Sequence, residues 1–303
     1  MDGALQRMFR RVAAPFIRLD FADIDRETEE TRAFDAWSDD DMVCHRAAVA
    51  RSFVQGEGIE IGALHNPLPL PPDARVRYVD YKTKAENEAR YPELSARTIV
   101  NTDIIDDGFI LRKVARSSCD FLIANHALEH SPDPYGTLLR WKSRLRRNGV
   151  ILAAVPVADK CFDRGRRITS LEHVWNDHQN FRKLRRAEVL ATTLEHLREF
   201  ITVSDRNIRI ENGLPLLDAE GIEESCRKIS AKLAAAIPRC RSYESLVTAC
   251  VERLNKTYDI HYHTFSPSSY RRLLAFFAER EGCRVELVRK SGSGECMGVL
   301  RRL

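Results

Sequence analysis

Short apolar runs that end in an acid, a glycine or an asparagine alternate with stretches of helical periodicity through the first half of the chain. Gly58-Ile59-Glu60-Ile61-Gly62 opens the series, a buried strand breaking into a turn that Pro67 closes. Tyr78-Val79-Asp80 comes next, followed by residues 98–103, 119–125 and 150–156. The fourth run is nearly all apolar after Asp120, as suits a strand covered on both faces. Between the runs, residues 42–54, 82–90, 109–116 and 135–146 predict helices, the last stopped by Asn148-Gly149. The run from Pro67 to Pro72 cannot be helical, so the first connection is predicted to be extended. Strands alternating with helices predict an α/β fold with a parallel sheet.

From about residue 157 to 258 the chain is mostly charged and helical, with 181–200 and 222–237 the clearest segments. This reads as an insertion forming a helical cap over the strand ends. Alternation returns at 260–265. A helix follows over 267–281, with Ser266 at its N-cap, Pro267 in its first turn and Tyr270, Leu273, Leu274 and Phe277 on one face. Residues 285–288 and 296–300 flank a short connection containing Gly292 and Gly294 and predict an antiparallel hairpin. The expected organisation is an N-terminal helix and acidic linker (1–41), a core in two pieces (42–156 and 259–303), and the insertion (157–258) between them.

Residues Leu5, Met8, Phe9, Val12, Phe16 and Ile17 stand at helical spacing with arginines interleaved. That helix could lie on an anionic membrane surface, but docking its apolar stripe on its own domain or a partner subunit is favoured, and it lacks the continuous apolar region of a secretory signal. Net charge is only +4 and spread along the chain, which argues against nucleic acid as a partner. The eight cysteines form no C-x-x-C pair or regular framework, which suits a reducing, cytoplasmic setting. No stretch is long and apolar enough to span a membrane.

The candidate chemistry sits at the strand ends. Gly62 lets a ligand approach the backbone closely. Asp80, 18 residues later at the tip of the second strand, is placed to accept hydrogen bonds from ribose hydroxyls. The order of motifs resembles the class I S-adenosylmethionine-dependent methyltransferases. Glu60-Ile61-Gly62 resembles the first motif of that family, Asp80 its ribose-binding acid, and Asp103 its third-strand acid facing the adenine amino group. Residues 120–130, ending in Leu128-Glu129-His130, resemble the fourth motif, and 263–274 the entry into the last helix. The resemblance covers roughly 42–156 and 259–303. It implies a Rossmann-like sheet with a C-terminal antiparallel hairpin and S-adenosyl-L-methionine as cofactor, held by Glu60, Gly62, Ala63, His65, Asp80, Asp103, Asn125 and His126. The start of the core is similar to methyltransferases that accompany glycosyltransferases in bacterial glycan and natural-product assembly, which implies a glycan or small-molecule acceptor. Where the family has a glycine-rich loop, only Gly62 is kept, so the loop stands further from the cofactor or uses His65 to touch it.

Histidines supply the remaining chemistry. His126-Ala127-Leu128-Glu129-His130 fits the H-x-x-E-H spacing, but Pro132 and Pro134 leave little room for a metal-binding helix. A loop over the cofactor, with Glu129 and His130 hydrogen-bonded within the turn, suits the stretch better. His261 and His263 have strand spacing and are expected to share a face with Phe265; a metal pair is conceivable there, a half-buried satisfied histidine commoner. No metal site is assigned. The densest cluster of titratable groups is 163–178, just after the fifth strand. His173, His178 or His263 is expected to act as general base for O-methylation of a sugar-containing or small hydroxylated acceptor. The competing reading is a non-catalytic scaffold or sensor built on the same fold. A nicotinamide-dependent dehydrogenase is disfavoured, because G-x-G-x-x-G does not follow the first strand.

Overall fold

The structure, a computed structural model, describes residues 42–291 and 294–303; the expected N-terminal helix and acidic linker lie outside the described residues. Seven strands form one sheet: β1 (Glu57–Ile61), β2 (Arg75–Asp80), β3 (Ile104–Ile105), β4 (Cys119–Asn125), β5 (Leu145–Pro156), β6 (Cys283–Lys290) and β7 (Glu295–Arg302). Their order is β3-β2-β1-β4-β5-β7-β6. The first five run parallel, while β7 is antiparallel to both β5 and β6. The order reverses between β1 and β4, the position at which open α/β sheets leave a crevice beyond the strand ends.

Pleating sends alternate residues of each strand to opposite faces. Ile59, Ile61, Leu122, Ala124, Ile151 and Ala153 enter one apolar core. There they meet Tyr135, Leu138 and Trp141 of helix α3 (Pro134–Arg144) and Leu273, Leu274 and Phe277 of helix α9 (Pro267–Glu281). Trp141 is fully buried and donates its indole N–H to the Gly108 carbonyl at 2.7 Å. Truncating such a residue to alanine costs about 3–5 kcal/mol. The other face packs Phe121, Ile123, Leu152 and Val299 against Val49 and Ala50 of helix α1 (Met42–Phe53). Between β2 and β3 lies the short helix α2 (Lys84–Arg90), started by a reciprocal Thr83–Glu86 capping box.

Between β5 and α9 come α4 (Leu171–Arg182), α5 (Arg186–Glu199), α6 (Arg206–Glu211), α7 (Ala219–Ala236) and α8 (Tyr243–Tyr258). Phe181, Val189, Leu197, Leu233, Leu246 and Leu254 give this region an apolar core of its own. A π-helical turn, Phe200–Asp205, joins α5 to α6.

Several elements differ from the sequence expectation. The third strand is not 98–103 but only Ile104–Ile105, because Asp103 spends its carboxylate on the Tyr78 N–H at 2.8 Å. Residues 109–116 are not helical. The Asp106 and Asp107 carboxylates capture the N–H groups of Lys113 and Phe109, a local alternative to helix bonding. Asn148 and Gly149 do not follow the helix as a stop but lie within β5, with Asn148 left-handed (φ 66°). The helix expected over 181–200 breaks at Leu184 (φ 53°). The run 260–265 is not a strand of the sheet; an isolated bridge pairs Phe265 with Val157.

Candidate functional site

The crevice at the reversal point is a cavity of about 360 Å³. Its walls include Ile61, Gly62, Val79, Asp80, Asp106, Asp107, Phe109, His126 and His130, drawn from the carboxyl ends of β1 to β4. Gly62 is left-handed (φ 65°), and a Cβ placed on it would meet nothing within 4 Å, so its backbone faces open space. Leu64 (φ 47°) and His126 (φ 52°) are also left-handed, a conformation that costs a non-glycine residue on the order of 1 kcal/mol. Both line the cavity. Asp259 (φ 53°) is a third such residue on the wall, and strain held at three points around one crevice is the pattern of a functional site. Asp80 accepts the Lys82 N–H at 3.0 Å and is bonded by the Asn87 amide, while burial pushes its carboxyl upward. The carboxylate is thereby held at the mouth of the cavity rather than swinging in solvent.

A second cavity of about 390 Å³ adjoins the first and shares His126, His130 and Asp259 with it. Lys160, Cys161, Phe162, Ile208 and His261 complete much of its wall. His126 contacts Glu295 through Nε2 at 2.9 Å, and Glu295 in turn clamps Arg46 at 2.5 Å. Burial lowers the His126 pKa, but Glu295 and Glu129 outweigh it and raise it overall. His130 donates Nδ1–H to the Ile260 carbonyl at 2.8 Å; burial and the neighbouring His261 push its pKa down.

His261 makes the shortest of the histidine contacts, Nδ1 to Asp163 Oδ2 at 2.6 Å. Burial alone would raise the Asp163 carboxyl, but His261, Arg166 and Ser204 bring it down to about 2. An ionised carboxylate can only accept, so His261 donates Nδ1–H to Asp163. This is the orienter-and-base arrangement in which a carboxylate fixes the imidazole tautomer. Glu129 lies beneath, fully buried, with one oxygen 4.0 Å from both His126 Nδ1 and His261 Nε2. It does not hydrogen-bond within its turn as expected, since neither carboxylate oxygen has such a partner.

No family model and no curated protein matches the chain. Among solved structures, the CurJ carbon methyltransferase is 10% identical, with a TM-score of 0.34, over 83% of this chain and 49% of that one. The mitomycin 7-O-methyltransferase MmcR is 13% identical, with a TM-score of 0.39, over 86% of this chain and 54% of that one. A putative Zn-dependent alcohol dehydrogenase from Rhodobacter sphaeroides is 16% identical, with a TM-score of 0.41, over 83% and 85% of the two chains. This chain thus spans about half the length of the two methyltransferases. Identities and scores this low leave the strand order and the reversed β7 to decide. The chain has the class I methyltransferase fold.

Of the residues that the sequence assigned to cofactor binding in this methyltransferase fold, Gly62, Asp80 and His126 stand on the cavity wall. Glu60 does not. It sits between Ile59 and Ile61, so the pleat turns it to the opposite face, where its carboxylate accepts the Leu68 N–H at 3.0 Å. Asp103 is an exposed backbone brace, and Asp106 and Asp107 occupy the place expected for it. The left-handed turn at Gly62 and Leu64 brings Leu64, not Ala63 or His65, onto the wall. Asn125 is one pleat away from His126 and off the wall; neither atom of its buried amide has a hydrogen-bond partner.

None of the three expected general bases reaches either cavity. His178 is buried in α4 and bonded through Nδ1 to Asp133 Oδ2 at 3.0 Å. His173 and His263 meet instead with Asp177 and His196, and a second donor group, Glu129, His130 and His261, lies at the cavity. His261 and His263 do not share a face, because their segment is not a sheet strand: His261 stacks near Phe162 and His263 near His196. The sequence signal for the Asp163–His261 pair was present, since Asp163 opens the titratable cluster, but nothing in the spacing joins residues 98 positions apart.

Proposed function

We propose that this protein is an S-adenosyl-L-methionine-dependent O-methyltransferase acting on a sugar-containing or small hydroxylated acceptor. One observation carries the reading: two adjoining cavities share His126 and His130, one with the glycine and acids of a cofactor cleft, the other walled by an oriented histidine. The residues fit the cofactor. Gly62 leaves backbone open for close approach, Asp80 is held ready for ribose hydroxyls, and Asp107 with Phe109 offers an acceptor and an apolar face for adenine. When bound, the cofactor would supply an electrophilic methyl group.

Displacement at such a methyl needs an aligned nucleophile, little water and a proton acceptor. His261, its Nδ1–H held by Asp163, would take the acceptor's hydroxyl proton on Nε2. Lys160, His130 and Asp259 offer hydrogen bonds that suit a polyhydroxylated acceptor, and Phe162 and Ile208 supply apolar wall. In this reading residues 157–258 act as a cap that closes the acceptor cavity and excludes water. Calorimetry with S-adenosylmethionine and S-adenosylhomocysteine, followed by transfer of a labelled methyl group to a panel of glycans and small alcohols, tests the proposal. Binding of both cofactor forms with label on a hydroxyl supports it; no binding of either overturns it.

A further inference from the structure

Three chain segments bring His173 and Asp177 of α4, His196 of α5 and His263 of the 260–265 run to one point. His173 Nε2 lies 3.1 Å from Asp177 Oδ2 and 3.2 Å from His196 Nε2. Asp177 Oδ2 is 3.5 Å from His196 Nε2 and 3.8 Å from His263 Nε2. All four donor atoms fall within 4.8 Å of one another. Around a tetrahedral zinc ion with bonds of 2.0–2.1 Å, neighbouring donors stand about 3.3 Å apart. A set of hydrogen bonds accounts for part of the cluster, but not for His263. That imidazole is 0% exposed and neither ring nitrogen has a hydrogen-bond partner among the described residues, an unfavourable arrangement if nothing binds it.

Asp177 is 2% exposed, and Thr192 Oγ1 donates to its other oxygen, Oδ1, at 2.9 Å, fixing the carboxylate plane with Oδ2 turned to the imidazoles. His173 and Asp177 are four residues apart on one helix face, the spacing that aims two side chains at one ion. His196 is 4% exposed, and only His173 is partly open to solvent. Three borderline imidazoles with one hard carboxylate, in a closed set of four, suit Zn²⁺ more than Mg²⁺ or Ca²⁺, which prefer all-oxygen sites.

We propose that His173, Asp177, His196 and His263 form a structural zinc site that ties α4 and α5 to the segment carrying His261. Four protein donors leave no position for water or substrate, so the ion would brace the helices rather than take part in methyl transfer. The proposal stands independently of the cofactor reading.

The test begins with the full chain purified without chelators or an affinity metal, analysed for metal by mass spectrometry. It continues with a picolinate-type chelator, zinc re-addition and cobalt substitution, each followed by thermal melting. Expected are one zinc per chain, a lower melting temperature after chelation that zinc restores, and the visible bands of tetrahedral cobalt. His173→Ala, at the least buried donor, is expected to fold and bind zinc at least 100-fold more weakly. Should that variant fail to fold, the cobalt spectrum of the unaltered chain decides alone. Folded protein that takes up no zinc and melts at the same temperature with zinc or chelator overturns the site, whatever its methyl-transfer activity.

Discussion

Two clusters in this molecule are made from the same parts, three imidazoles with buried carboxylates, and differ in what the second nitrogen of each ring is given to do. At the cavities, His130 and His261 each commit Nδ1 to a carbonyl or carboxylate, and His126 commits Nε2 to Glu295. Each ring is thereby oriented, and each lines open space. At the His173–His263 cluster the four donors point at one another, and one ring has no hydrogen bond. Composition does not separate a proton-transfer site from a donor set suited to an ion; orientation does. An imidazole held at one nitrogen and open at the other can move a proton, whereas a buried ring with neither nitrogen bonded, as at His263, suits a donor set that an ion would complete.

The comparison breaks most sharply at His261. His261→Asn keeps an N–H for Asp163 and removes the proton acceptor, so kcat is expected to fall roughly 10²–10⁴-fold. The melting temperature should stay within a few degrees of the parent. A steady-state assay at saturating cofactor, paired with a melt, reads both. Undiminished kcat would show that the open cluster does not handle the proton.

Buried carboxylates divide in the same way. Glu60 faces away from the cleft, and burial raises its pKa from 4.5 to about 7 in the folded chain. A carboxyl whose pKa is higher folded than unfolded stabilises the fold fully below the unfolded value, and that contribution is lost as pH rises through the folded one. Glu60 therefore makes stability decline between about pH 4.5 and pH 7, by about 3 kcal/mol in total. Glu60→Gln should remove this part of the slope while keeping an oxygen for the Leu68 N–H. Denaturant melts of both proteins across that range would show it, and an unchanged slope would return Glu60 to a solvated or charge-paired setting.

Asp80 is the open counterpart of Glu60, on the neighbouring strand. Asp80→Ala should weaken S-adenosylhomocysteine binding about 10–100-fold, the worth of hydrogen bonds to a charged group. The contrast also marks how far the sequence could be read. Asp80 was legible because it is the last residue of its strand, beyond the pleat's control. Glu60 was not, because it lies one residue before its strand ends and alternation turns it to the other face. The order of strands was legible from apolar runs and their stop residues. The third strand's length was not, since Asp103 competes for the backbone through its side chain. Asp163 and His261, like Asp177 and His263, are joined only by tertiary packing, which leaves no period in the sequence.

The smallest expected effect concerns His178, on the same helix as His173 and Asp177 but outside both groups. Its Nδ1 holds Asp133, whose other oxygen caps α3 through the Gly136 N–H at 2.8 Å. His178→Leu leaves a fully buried Asp133 oxygen without that donor and should cost about 1–3 kcal/mol of stability. His178→Asn places an N–H near the position of Nδ1 and should recover part of the loss, less the ring's packing against Tyr135 and Trp175. Neither variant should change kcat more than about twofold, because the ring touches no cavity wall and acts through a helix cap alone. A kcat loss in His178→Asn larger than its stability loss would mean that α3 transmits strain to His130, four residues before its first turn, and that the boundary drawn here between bracing and reacting histidines is in the wrong place.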